Sequence, residues 1–124
     1  MYAKNPRWFL TEEQDALRES VARLARERVA PRAAEVDATA QYPQDIFEVF
    51  RDAGMLGLCI PTELGGSGAG ILGLTLAIEE VAKYSNAAAL MLLLTRLPTG
   101  PVMIAGSAEQ NQRYVAPIAD GSQR

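Results

Sequence analysis

The sequence predicts an all-α fold, an up-and-down bundle of about five or six short helices occupying residues 1–124, and three observations predict it. Apolar residues recur at three- and four-residue spacing in successive stretches. No window shows sustained strand alternation. The proline and glycine clusters, Pro61 to Gly70 and Pro98 to Pro101, fall between the periodic stretches and mark their ends. A chain of 124 residues with 48% hydrophobic and 22% charged residues is one domain's worth of globular sequence, long enough to bury a core.

Each element has its own warrant. Thr11 is placed to cap the first helix, with Gln14 three residues on to complete a capping box and Glu12 and Glu13 at the positive helix end. Leu17, Val21, Leu24, Ala25 and Val29 then share one face, and Pro31 should bend the helix before it resumes through Ala33, Ala34 and Val36. Tyr42-Pro43 reads as a loop. The second helix runs from about Gln44 to Ala53 with Ile46, Phe47, Val49 and Phe50 inward, and Gly54 supplies a left-handed stop. Met55 to Ile60 reads as an extended buried connector. A third helix, about Ile71 to Tyr84, turns Leu74, Ala77, Ile78, Val81 and Ala82 inward. Asn86 is placed to cap the next one, whose run Ala87 to Leu94 is apolar on every side and so calls for cover on every side, in a domain this small by its own helices on one side and by something else on the other. Pro98, Gly100 and Pro101 break the pattern before a short apolar turn, Val102 to Ala105. Gly106-Ser107 opens a last helix, Ala108 to about Ala119, with Tyr114, Val115 and Ile118 inward.

Composition excludes several chemistries. With no histidine, the commonest general base at neutral pH is missing, and Ser/His/Asp and Cys/His catalysis are excluded for this chain acting alone. One cysteine, Cys59, permits no internal disulfide and fits a reducing cytoplasm. No acidic loop or His/Cys cluster suggests a metal. The net charge of −3, with both signs interspersed, gives no nucleic-acid footprint. The N-terminus lacks the apolar region of a secretory signal, and the Ala87 to Leu94 run is far shorter than the ~20 residues that span a bilayer.

Gly68-Ala69-Gly70-Ile71-Leu72-Gly73 matches the letters of the G-x-G-x-x-G dinucleotide fingerprint. It lacks the strand before it and the βαβ unit around it, so a structural glycine loop is the reading. Glu79 and Glu80 are neighbours on a helix and face different directions, which suits ion pairing rather than a carboxylate dyad. The apolar run is the feature best placed for function. Its leucines and methionine can line a pocket for an aliphatic group, pack on another domain, or serve only as core.

Four motifs in order resemble the acyl-CoA dehydrogenase family over almost the whole chain. TEEQDALRESVARLARERVAPRAAEVD resembles the family's first helix. Gly54, Gly57, Pro61, Gly65, Gly66 and Gly68 resemble its G-x-x-G-x-x-x-P-x-x-x-G-G-x-G segment, and Glu79-Glu80-Val81-Ala82 its E-E-L-A helix. Gly106-Ser107, Glu109-Gln110, Tyr114, Pro117 and Gly121 resemble the element that ends its N-terminal helical domain. The resemblance implies FAD-dependent α,β-dehydrogenation of an acyl-CoA thioester in cytoplasmic fatty acid metabolism: a glutamate takes the α-proton and the β-hydride passes to the flavin.

The same resemblance places the flavin-binding β-domain and the C-terminal helical domain, with the catalytic glutamate, outside residues 1–124. No catalytic, cofactor-binding or metal residue is then expected here, and the chain alone should be inactive. It implies an acyl-pocket wall at Ala89, Leu90, Leu93 and Leu97, with Gly100 at the turn. The implied partners are the remaining domains or a companion subunit, an electron-transferring flavoprotein and an oligomer. Two alternatives stay open, a non-enzymatic acyl-binding or partner-capping helical module and a non-catalytic subunit of a heteromeric dehydrogenase. Leu94-Thr95-Arg96 and Pro98 depart from the family pattern.

Overall fold

The computed structural model describes residues 9–124, and the N-terminal reading at residues 1–8 lies outside them. No strand occurs among the described residues. The helices are α1 (Glu12–Leu24), α2 (Ala33–Thr39), α3 (Gln44–Asp52), α4 (Gly70–Ala82), α5 (Asn86–Leu94), α6 (Thr99–Ala105), α7 (Ala108–Tyr114) and α8 (Ala116–Ala119). Joined across short interruptions, α1 with α2, α5 with α6 and α7 with α8, they form five helical bodies among the described residues, as the sequence leads one to expect.

The α1 capping box forms as expected. Thr11 Oγ1 accepts from the Gln14 amide at 3.2 Å and the Gln14 side chain accepts from the Thr11 amide at 3.0 Å. Pro31 does interrupt the helix, by way of a π-turn at Ala25–Val29 and a 3-10 turn at Ala30–Arg32 before α2 resumes. Ala25 and Val29 are fully buried, and Val21 and Val36 nearly so. Arg32 then ties this turn to the start of α3, its Nε donating to Asp45 at 2.6 Å.

Ile46, Phe47 and Phe50 of α3 are buried, while Val49 packs half-buried at their edge. Gly54 ends the segment at φ 69°, the left-handed stop foreseen. The connector that follows is not extended. Met55–Gly57 winds into a 3-10 turn and buries Met55 and Leu56 at once, which an alternating strand could not do.

α4 packs on α1, burying Leu74, Ala77 and Val81 as expected, with Ile78 and Ala82 half-buried. It also buries Leu76, which lies off the expected inward face. Glu80 is only 3% exposed and is ion-paired to Lys83 at 2.6 Å and to Arg18 of α1 at 3.6 Å, so the carboxylate serves helix packing. Burial opposes the charge on Arg18, but its hydrogen bond to Asp15 and the charges of Asp15 and Glu80 outweigh that and hold the guanidinium above its ordinary value.

At the C-terminal end a second capping box, Ser107 with Gln110, starts α7. Pro117 divides the expected last helix at Val115, which is fully buried with Ala119 beside it. Tyr114, expected inward, is 50% exposed, and Ile118 is half-buried.

Candidate functional site

The site is built on α5 and α6. The N-cap of α5 is Ser85 rather than Asn86: the Ser85 hydroxyl accepts from the Ala88 amide at 3.2 Å, which makes Asn86 the first helical residue. The helix does not stop at Leu94. The Leu97 amide donates to the Leu93 carbonyl at 3.2 Å and the Gly100 amide to the Arg96 carbonyl at 2.8 Å, carrying the backbone past Pro98. Pro98 and Pro101 sit at the start of α6, where ring closure costs little because the first-turn amides have few intrahelical partners. The short apolar turn expected at Val102 to Ala105 is therefore the end of a helix, and residues Asn86–Ala105 form one helical body of 20 residues, about 30 Å long. By length and composition alone that body could cross a membrane, unlike the shorter run read from the sequence. Its buried face is spent inside the bundle.

That face carries Ala88, Leu92, Thr95 and Thr99, all buried. The two hydroxyls are satisfied within the helix, Thr95 donating to the Leu92 carbonyl at 2.7 Å and Thr99 to the Thr95 carbonyl at 2.5 Å. The opposite face is an uncharged stripe: Leu90, Leu93, Leu94 and Leu97 are each a third to more than half exposed, and Ile104 is 80% exposed. The domain's own helices thus cover this helix on one side, as expected for a domain this small, and leave the other side open.

The five wall positions differ in exposure. Leu90, Leu93 and Leu97 lie on the open stripe, whereas Ala89 is 5% exposed and Gly100 is buried. Two grooves flank Leu94. One, of about 420 Å³, is lined by Tyr42, Phe47, Leu56, Leu94, Thr99 and Val102 among others. The second, about 370 Å³, runs between Val36, Ala40, Pro43, Leu90 and Leu94. Sequence reasoning missed Tyr42 and Val102 as groove residues, and held Leu94 only as part of the apolar run, outside the five wall positions. Leu94 had a signal, being four residues from Leu90 on the same arc of the helix. Tyr42 had none, since the dipeptide Tyr42-Pro43 announces a loop and not what it overhangs.

The glycine loop also receives a physical reading. A Cβ on Gly66 would stand 2.7 Å from the Gly57 carbonyl oxygen and well inside contact with the Ile60 carbonyl. One on Gly73 would meet Ala69 at 2.6 Å. Gly68 and Gly70 supply φ values of 69° and 72° that turn the chain into α4. These glycines make room for backbone and neighbouring helix. Among the described residues, no group of three or more Cys, Asp or Glu could hold a metal ion.

The comparisons agree with this architecture. Residues 11–122 match the family model of the acyl-CoA dehydrogenase, N-terminal domain. A probable acyl-CoA dehydrogenase of Bacillus subtilis is 35% identical over 114 residues, 91% of this chain and 30% of that protein. A short-chain specific acyl-CoA dehydrogenase of Clostridium acetobutylicum is 34% identical over 90% of this chain and 30% of its own length. Among solved structures, a chain from the study of the electron transferring flavoprotein of Acidaminococcus fermentans superposes with a TM-score of 0.85 at 33% identity, covering 91% of this chain and 30% of that one. Butyryl-CoA dehydrogenase from Megasphaera elsdenii shares the fold, with a TM-score of 0.80 at 24% identity over 92% of this chain and 31% of its own. The chain thus spans about 30% of the length of the relatives it matches, all of it in their N-terminal helical portion, and it belongs to the acyl-CoA dehydrogenase family through that N-terminal domain.

Proposed function

We propose that this chain is the N-terminal α-domain of a flavin-dependent acyl-CoA dehydrogenase of the cytoplasm, acting in the α,β-dehydrogenation of an acyl-CoA thioester. Its part is to supply one wall of the acyl pocket. The observation that carries the reading is the uncharged stripe of half-exposed leucines on a helix whose other face is the core of the domain. Each large aliphatic left in water forgoes about 1.5–3 kcal/mol of burial. An acyl chain with its enclosing domains would recover that. Leu90, Leu93 and Leu97 would touch the chain, and the buried positions Ala89 and Gly100 would set how close it can approach.

The groove face does not fit a flavin dinucleotide. The hydroxyls of Thr95 and Thr99 are committed to backbone carbonyls, and the Arg124 guanidinium lies over the Tyr42 ring at 4.9 Å. What remains of the lining is mostly carbon. In this reading FAD, the proton-abstracting glutamate and the hydride chemistry belong to a β-domain and a C-terminal helical domain of the longer protein, and residues 1–124 alone do not turn over substrate. An oligomer and an electron-transferring flavoprotein as acceptor complete the proposal.

The test is a Leu93→Trp variant of the assembled enzyme. Its acyl-chain profile should shift toward shorter thioesters, and an unchanged profile would sink the wall assignment. A second reading, a free helical module that binds acyl groups or caps a partner, draws on the same exposed stripe. The visible spectrum separates the two: the native protein isolated from its own cells shows a flavin band under the first and none under the second.

A further inference from the structure

Arg96 is the one charged residue along the Asn86–Ala105 helix, and it lies inside the proposed wall. At about 100° per residue, Arg96 and the five positions Ala89, Leu90, Leu93, Leu97 and Gly100 share a sector of about 120°. The guanidinium folds back along the helix over Gly100, one turn on, where any Cβ would collide with Nη1. The missing side chain at Gly100 is therefore what seats the Arg96 head. Nη1 is buried there with no hydrogen-bond partner, and no carboxylate among the described residues pairs with this arginine. A half-buried guanidinium with an orphaned donor is costly, and its planar fork matches a carboxylate better than any other common group.

We infer that Arg96 selects acyl groups that end in a carboxylate, pairing with that terminal anion while the methylenes lie along Leu93 and Leu97. The inference rests on the acyl-wall reading above. A substrate anion fits better than a carboxylate from a covering domain because of where the arginine sits. A second domain would rest on the exposed, uncharged arc at Leu94 and Pro101, whereas Arg96 lies at the opposite margin beside the buried positions Ala89 and Gly100.

The experiment uses the full-length enzyme with two thioesters of equal length, hexanoyl-CoA and adipoyl-CoA, for wild type, Arg96→Met and Arg96→Lys. The wild type should favour adipoyl-CoA. Arg96→Met should lower the ratio of kcat/KM on adipoyl-CoA to that on hexanoyl-CoA by about 10- to 100-fold, chiefly through KM on adipoyl-CoA. Arg96→Lys keeps the charge without the fork and should fall between them, which also guards against a folding defect in the first variant. Equal losses on both thioesters would overturn the inference and point to a carboxylate of a neighbouring domain. A wild type that prefers hexanoyl-CoA would overturn it outright. An enzyme inactive on every acyl-CoA would instead remove the dehydrogenase reading beneath it.

Discussion

Gly66→Ala should be among the most damaging single-methyl additions in this domain, and Gly70→Ala, four residues later in the same loop, should be mild. At Gly66 the added Cβ meets backbone, the Ile60 carbonyl group and the Gly57 carbonyl oxygen, none of which can rotate away. Relief requires the Gly57 to Gly68 loop to open. That stretches the bonds from the Gly66 amide to the Pro61 carbonyl at 3.0 Å, from Ser67 to Gly57 at 2.9 Å and from Gly68 to Ile60 at 3.0 Å. Two or three such bonds at about 1 kcal/mol each, with about 1–3 kcal/mol of overpacking, give a loss of about 3–6 kcal/mol. At Gly70 nothing lies within 4 Å of the added atom, and only the left-handed φ of 72° is penalised, by about 1–2 kcal/mol. Urea denaturation followed by far-UV circular dichroism measures both. Equal losses would refute the close-packing account.

Other consequences can be checked with the same melts. Leu92→Ala, at a fully buried position, should cost about 2–5 kcal/mol, whereas Leu97→Ala, 57% exposed, should change the isolated domain by less than about 0.5 kcal/mol. Thr11→Ala removes one half of the α1 capping box and should cost about 1 kcal/mol, and Thr11→Ser should restore most of it. The hydrogen bond from Arg32 holds the Asp45 carboxyl below its ordinary range. A depressed folded value means stability that is present above about pH 4 and is lost as pH falls through the folded value. The pair is surface-exposed, so the slope should be shallow, and Asp45→Asn should flatten it further in melts between pH 5 and pH 2.

Local chemistry was the most legible part of the chain. Thr11 with Gln14, Gly54 as a stop and the inward face of α3 each follow from interactions within four residues, and each stands in the structure. What failed depended on neighbours distant in sequence. Leu76 is buried although it lies off the inward face of α4, and no periodicity within α4 announces that. Met55 to Ile60 was misjudged as extended because its apolar run has no period, and the turn that buries it is set by packing on α3 and α8. Pro98 and Pro101 read as a break, yet two prolines within one turn of a helix start are compatible with continuation. For the candidate site, the leucines of the stripe were visible in the sequence. The burial of Ala89 and Gly100, and the seating of Arg96, depend on side-chain packing that letters do not encode.

The π-turn at Ala25–Val29 has a consequence for how this helix can change over time. Its closing bond runs from the Ala30 amide to the Ala25 carbonyl, so the turn holds one residue more than an α-turn. That extra residue brings Val29 back into line with Val21 and Ala25, eight residues on, where an unbroken α-helix would have swung it about 80° away. Removing one residue from within the turn would convert it to ordinary α-helix and leave the following valine seven positions after Val21, still on the inner face. A deletion elsewhere in α1 would rotate the buried stripe out of phase by about 100°. The turn thus acts as slack in the helix, a point where the chain can shorten by one residue while Pro31, Arg32 and everything that follows keep their place.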